Sequence, residues 1–208
     1  MTPRYFFAIR YLARNADYTL LAGRCLSILH GFLKRHSATG IGVSFPDWSE
    51  NTVGASIAFI GSEQLILKQL RSQPYFTMMA TDSLFEVTEV AEVPEACPEV
   101  RFTRNQGVAK CFAGEKRRRL ARARRRAASR GEPFRPVAEI HGREIIPFNS
   151  ALMESKSTGQ QYLLHIQREG EVSQVCEGFG GYGLATNRHH RGTVPALPCL
   201  STFFSKQE

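Results

Sequence analysis

The chain has 208 residues, 42% of them hydrophobic and 22% charged, an ordinary balance for a protein folded around a buried core. No stretch approaches the ~20 apolar residues of a membrane-spanning helix, and the start, MTPRYFFAIRYLAR, lacks the apolar block and cleavage pattern of a secretory signal. A net charge of +8 makes a polyanion the natural partner, and no Trp/Phe/Leu stripe accompanies the charges to suggest a membrane surface.

Five cysteines, Cys25, Cys97, Cys111, Cys176 and Cys199, are odd in number and form no CxxC pair. That suits reduced thiols in the cytoplasm better than a disulfide framework. His189 and His190 precede Cys199 by about ten residues, a poor zinc spacing, and adjacent histidines in a polar loop are more often simply solvated. Neither a metal nor a cofactor is expected.

In chain order, Arg4–Leu12 is rich in β-forming residues and reads as a strand. Thr19–His36 follows Asp17 and spaces Leu21, Cys25, Ile28, Leu29 and Phe32 at helical intervals. Ile41–Pro46 and Ser56–Gly61 read as strands around the loop SENTVG, and Ser62–Gln73 as a shorter helix opened by Ser62. Leu84–Pro94 alternates as a strand should. The order β-α-β-β-α-β is the ferredoxin-like arrangement, an antiparallel sheet under two helices. A boundary follows at Pro94–Glu99, and the polar linker Gly131–Pro136 follows the basic segment. Arg143–Phe148, Gln161–Gln167 and Thr193–Leu197 are short strand-like runs. The expected fold class is α+β: a ferredoxin-like domain over 1–95 and a less regular α+β module over 96–208.

The charge is concentrated. Residues 101–130 hold twelve Lys and Arg against Glu115 alone, a local charge of +11, which leaves the rest of the chain at −3. On a helix over 115–130, Arg118, Arg119, Arg122, Arg125, Arg126, Ser129 and Arg130 share one arc of about 140°, while Leu120, Ala123 and Ala127 cluster elsewhere and can rest on a core. Gly131 is a plausible stop. A solvated face would mix signs with acidic partners one turn away, and a disordered tag would not sort its residues this way; a nuclear-localisation reading survives on composition alone. Phosphate binding is the preferred reading. Arg104 and Gln106, in an extended or turn-like lead-in, have the side chains that pair with guanine and adenine edges.

Longer stretches go further. CLSILHGF (Cys25–Phe32), IGVSFPDW (Ile41–Trp48), STGQQYLLHI (Ser157–Ile166) and GGYGLA (Gly180–Ala185) resemble the CRISPR-associated endoribonuclease of type I-F systems. His30, Arg104-x-Gln106, the arginine run and YGL all stand in family order. LHGF, TVG (Thr52–Gly54) and SRGEPF (Ser129–Phe134) look most like the branch encoded beside CRISPR-guided transposons.

The resemblance implies a metal-independent enzyme that cuts CRISPR repeat RNA at the base of a hairpin and stays bound to it. A 2′-hydroxyl would attack the adjacent phosphate, leaving a 2′,3′-cyclic phosphate. It implies His30 as the base, Ser155 positioning the ribose with Ser157 close by, and Tyr182 as the active-site tyrosine. Tyr162 would stack under the last base pair, where phenylalanine is familiar, and the 115–130 helix would grip the stem. An intact A-form groove is too narrow for a helix, but a short stem is open at its ends. Implied partners are the repeat hairpin, other CRISPR effector subunits and, for this branch, a transposition complex. The sequence departs from the pattern in a longer spacing from Gln106 to the arginines and a longer tail through Phe203 and Phe204. A non-cleaving hairpin scaffold of the same fold and an unrelated basic RNA-binding protein are the alternatives.

Overall fold

The computed structural model of the chain describes residues 3–13, 15–95, 97–108, 113–134, 147–155, 158–186 and 189–198. Its first sheet is assembled from β1 (Tyr5–Tyr11), β2 (Gly42–Ser44), β3 (Ser56–Gly61), β4 (Phe85–Val87) and β5 (Ala91–Glu92). The order is β2-β3-β1-β4, antiparallel throughout, with β5 also on β1. Helix α1 (Tyr18–His36) connects β1 to β2, and α2 (Gln64–Arg71) with α3 (Pro74–Thr81) connects β3 to β4. This is the expected ferredoxin-like topology.

Helix α1 begins where Asp17 accepts a hydrogen bond from the Leu20 N–H at 3.1 Å. It ends with Lys34, Arg35 and His36 facing the negative end of the helix dipole. Two local readings need correction. Ser62 does not open the second helix: Glu63 occupies the cap, with no side-chain bond. The helix also stops at Arg71, and Pro74, tolerated in a first turn, starts the unanticipated α3. The strand expected over Leu84–Pro94 is interrupted by a bulge. Three steps of β1, Ile9 to Phe6, face four steps from Val87 to Ala91. Thr88 keeps the ladder satisfied there, its hydroxyl oxygen accepting from the Ala8 N–H at 2.9 Å.

The second sheet uses β6 (Glu99–Arg104), β7 (Asn149–Glu154), β8 (Gln161–Val172), β9 (Ala185–Thr186) and β10 (Val194–Pro195). Its order is β10-β6-β8-β7, with β9 parallel to β6. Helix α4 (Ala113–Ser129) lies between β6 and β7 in the chain. The lead-in at Arg101–Arg104 is thus interior sheet strand rather than turn. Of the expected strand Arg143–Phe148, residues 143–146 lie outside the described residues, Pro147 and Phe148 are not in a strand, and β7 starts at Asn149. Among the described residues no helix is long and apolar enough to cross a membrane.

One apolar core runs through both sheets, from Phe6, Phe7 and Phe59 to Phe102, Met153 and Ile166. Arg4 pairs with Glu99, and the Ser44 hydroxyl donates to Pro195 O at 3.3 Å. The tightest junction is α1 against the edge strand β7. A Cβ on Gly23 would stand 1.8 Å from Leu152 O. Only a glycine lets helix and strand backbones meet there.

Inside an open helix, Gly→Ala gains about 1 kcal/mol. At Gly23 the overpacking cost of about 1–3 kcal/mol opposes that gain, and relief requires backbone to move. Gly23→Ala should therefore lower stability by up to about 2 kcal/mol, read as a reduced urea midpoint at unchanged slope. A raised midpoint would show that the junction is loose.

Candidate RNA-binding and catalytic site

Helix α1 carries His30 one turn beyond the buried Leu26, facing the loop at residues 178–184. That loop is fixed by its backbone. Val43 N–H donates to Gly183 O at 2.8 Å, and Gly183 N–H to Gly180 O at 2.9 Å. Gly183 has φ +70°, and a Cβ on it would meet Val43 and Leu29 at 2.6 and 2.8 Å. A non-glycine residue would be strained and would lift the loop.

The result is a defined seat for the imidazole. His30 Nδ1 lies 2.8 Å from Gly181 O, and the Tyr182 ring stacks on it at 4.5 Å and 26°. A carbonyl oxygen only accepts, so Nδ1 must carry the proton. In the neutral ring Nε2 is then the acceptor. The geometry selects which nitrogen can take a proton from a substrate.

Tyr182 is held in turn. Its hydroxyl is 3.0 Å from that of Tyr162, which lies on β8 opposite Met153. Burial, then the hydrogen bond and charge of Tyr182, push the Tyr162 phenol up to about 12, so it stays neutral at any working pH. The Arg104 guanidinium carbon sits 5.3 Å from the Tyr182 ring centre. Arg104 Nε is buried and has no hydrogen-bond partner among the described residues. The structure therefore gathers His30, Tyr182, Tyr162 and Arg104 in one cluster.

Ser155 lies just past β7, in the turn to β8. Its N–H donates to Gln160 O at 2.9 Å, and its carbonyl accepts from Gly159 N–H at 2.7 Å. It sits two residues beyond Met153, the cross-strand partner of Tyr162. Ser157 lies outside the described residues. Gln106 is exposed at the turn after β6. Asn105 builds that turn: its side-chain oxygen accepts from Gly107 N–H at 2.8 Å, and its amide donates to Gln167 at 2.6 Å.

On α4, Arg118, Arg122, Arg125 and Arg126 are exposed, Ala127 is buried, and the Arg119 side chain lies outside the described residues. Gly131, at φ +68°, ends the helix, with Glu132 N–H bonded to Ala127 O at 3.0 Å and Gly131 N–H to Ala128 O at 3.1 Å. Three expectations change. Leu120 does not rest on a core, being 42% exposed. Arg130 belongs to an ion pair with Glu132 at 3.0 Å. Arg101 is buried and paired with Glu169. The buried Arg101 is thereby taken out of the exposed basic surface, whereas the Arg130 pair stays open to solvent.

The remaining titratable groups stand apart. Burial pushes the Cys25 thiol up to about 12, which leaves it unreactive. Cys97 and Cys176 are free thiols, while Cys111 and Cys199 lie outside the described residues. Among the described residues no three His, Cys, Asp or Glu side chains converge as a metal site would require. Sequence reasoning missed Gly181, Gly183 and Asn105, which act through backbone atoms or a turn; the glycines of GGYG were the one available signal.

The family described as CRISPR-associated protein (Cas_Csy4) matches residues 7–197. It is a family of endoribonucleases that process CRISPR repeat RNA. A comparison with curated proteins gives no match.

Two predictions come from this geometry. Tyr182→Phe keeps the ring against His30 and loses only the phenol contact, so cleavage should fall by less than about tenfold, whereas Tyr182→Ala unseats the imidazole and should cost about 10²-fold. Equal losses in single-turnover assays would mean that the hydroxyl, not the stack, matters. Separately, Arg118, Arg122 and Arg125 replaced together by Ala should leave helix content unchanged by circular dichroism. The same change should flatten the log–log salt dependence of RNA binding by roughly 0.7–0.9 per lost phosphate contact. An unchanged slope would place that face in solvent.

Proposed function

This chain belongs to the CRISPR-associated Cas_Csy4 family, and from that membership and the seating of His30 we propose a sequence-specific, metal-independent endoribonuclease that cuts the repeat at the base of its hairpin. His30 Nε2 takes the proton of the 2′-hydroxyl next to the scissile phosphate. The 2′-oxygen bonds to phosphorus as the bond to the 5′-oxygen breaks, giving a 2′,3′-cyclic phosphate and, with a proton from solvent, a 5′-hydroxyl. No outside nucleophile is needed.

The observation that carries this reading is the 2.8 Å contact between His30 Nδ1 and Gly181 O. It turns an otherwise ordinary helical histidine into one with an assigned acceptor atom. Through the proton transfer the ring keeps its bond to Gly181 and its place against Tyr182.

The other residues take the roles that the resemblance implies. Ser155, with Ser157, orients the ribose, and Tyr162 offers a surface for the last base pair. Arg104 and Gln106 read base edges beside the cut. The α4 arginines Arg118, Arg119, Arg122, Arg125 and Arg126 hold phosphates and fix the register without reading sequence. The enzyme then remains on its product as part of a cytoplasmic CRISPR effector. The LHGF, TVG and SRGEPF stretches support the transposon-encoded branch, with a transposition complex as a further partner.

One experiment tests the core of this reading. The protein is incubated in chelator with the repeat RNA, with a 2′-deoxy version at the cut site, and as His30→Ala. We expect a single cut in the first case and none in the second, with hairpin binding retained. His30→Ala should lose ~10²–10⁴ in rate at an affinity within a few-fold. Cleavage that needs added divalent metal, or an undiminished rate without His30, would overturn it.

A further inference from the structure

Beside His30 the fold leaves a cavity of about 240 Å³ whose lining includes neither Tyr162 nor Arg104. Its walls include His30, Lys34, Thr39, Ile41, Phe179 and Gly181. Lys34 is four residues after His30 and so on the same face of α1. It is exposed, and no acidic side chain pairs with it among the described residues. Phe179 is immobilised: a Cβ on Gly42 or on Gly192 would meet its ring at 2.5 or 2.4 Å.

The contacts place this cavity on one side of the reacting centre. Tyr162 touches Tyr182, Tyr182 stacks on His30, and His30 forms part of the cavity wall, whereas neither Tyr162 nor Arg104 does. A strand leaving a stem seated at Tyr162 must bring its scissile phosphate to His30. The next unit along that strand then meets the cavity. Drug-sized sites run from roughly 300 Å³ upward, so a 240 Å³ space suits one nucleotide and not a longer segment. An apolar wall with one cation at its rim is the chemistry that takes a base face and a phosphate together.

We propose that this cavity seats the first unpaired nucleotide on the leaving-group side of the cut, its base against Phe179 and its own 3′-phosphate at Lys34. The inference rests on the nuclease reading above and adds a subsite to it. Holding the leaving nucleotide fixes the line of the breaking bond relative to the 2′-oxygen, which is where orientation counts most.

The test compares three uncleavable RNAs in anisotropy titrations at several salt concentrations. One hairpin ends at the cut. A second carries a 2′-deoxy cut site and two downstream nucleotides, and a third is extended only on its 5′ flank. For the unsubstituted protein, the downstream extension should tighten binding by roughly fivefold, the low end for one stacked base. It should also steepen the salt slope by about 0.7, the value for one single-strand phosphate. Lys34→Ala should abolish the added slope, and Thr39→Trp, which fills the space from its exposed rim, should abolish the added affinity.

No gain from the downstream extension, a gain that survives both substitutions, or a Lys34-dependent gain from the 5′ extension alone would each overturn the proposal. These failures are distinguishable from failure of the nuclease reading. They leave cleavage at the hairpin base and its dependence on His30 intact.

Discussion

The contact between Gly23 and the Leu152 carbonyl sets the geometry of everything around it. A helix of the first sheet and the edge strand of the second meet at backbone distance there, with no side chain between them. Because α1 also carries His30 and β7 leads into the turn holding Ser155, their relative position is a matter of main-chain packing. Protein interiors transmit such displacements because they are close-packed. Moving α1 outward by the width of a methyl group would shift the imidazole against its partners by a comparable distance.

The candidate site sits on this seam, and each of its members is held by another part of the fold. His30 comes from α1, Tyr182 from a loop docked on β2, Tyr162 from β8 and Arg104 from the end of β6. None of these elements brings the cluster together alone. The ring stack and the phenol pair lock the side chains to one another, so the site is organised without bound RNA. The helix α4 is organised differently, presenting exposed arginines, with Ala127 its buried residue among those described. The cluster is locked in the seam, and the α4 arginines are borne on the surface.

The ferredoxin-like half was legible because its hydrophobic periods are long and clean, as in Thr19–His36 around Leu21, Cys25, Leu29 and Phe32. Strands β7 and β9 escaped because NSALME is mostly polar or weakly β-forming and β9 has two residues. Strand β6 was hidden by its charge: Arg101 reads as surface until Glu169, 68 residues away, is seen to neutralise it. The Arg130–Glu132 pair escaped for a nearer reason, since Glu132 lies only two residues on but beyond the helix end. His30, Tyr182 and Ser155 were named by resemblance, while the atom that orients His30, the Gly181 carbonyl, belongs to a residue with no side chain. Backbone partners leave no letter in a sequence. Glycine-rich runs hint only that some close approach occurs.

The tethered Nδ1 also bears on the stereochemistry of the proposed reaction. In-line displacement puts the attacking and departing oxygens at opposite apices of the phosphorus, and one imidazole nitrogen cannot reach both. Ribonucleolytic sites with two acid–base groups divide that work. Here the second ring nitrogen is committed to Gly181, so in the proposed reaction the departing alkoxide would take its proton from solvent, and His30 offers no second nitrogen to activate a water against the cyclic ester. On the proposed chemistry the cyclic phosphate would then persist at the end of the product, because the one imidazole that forms it cannot also drive its opening.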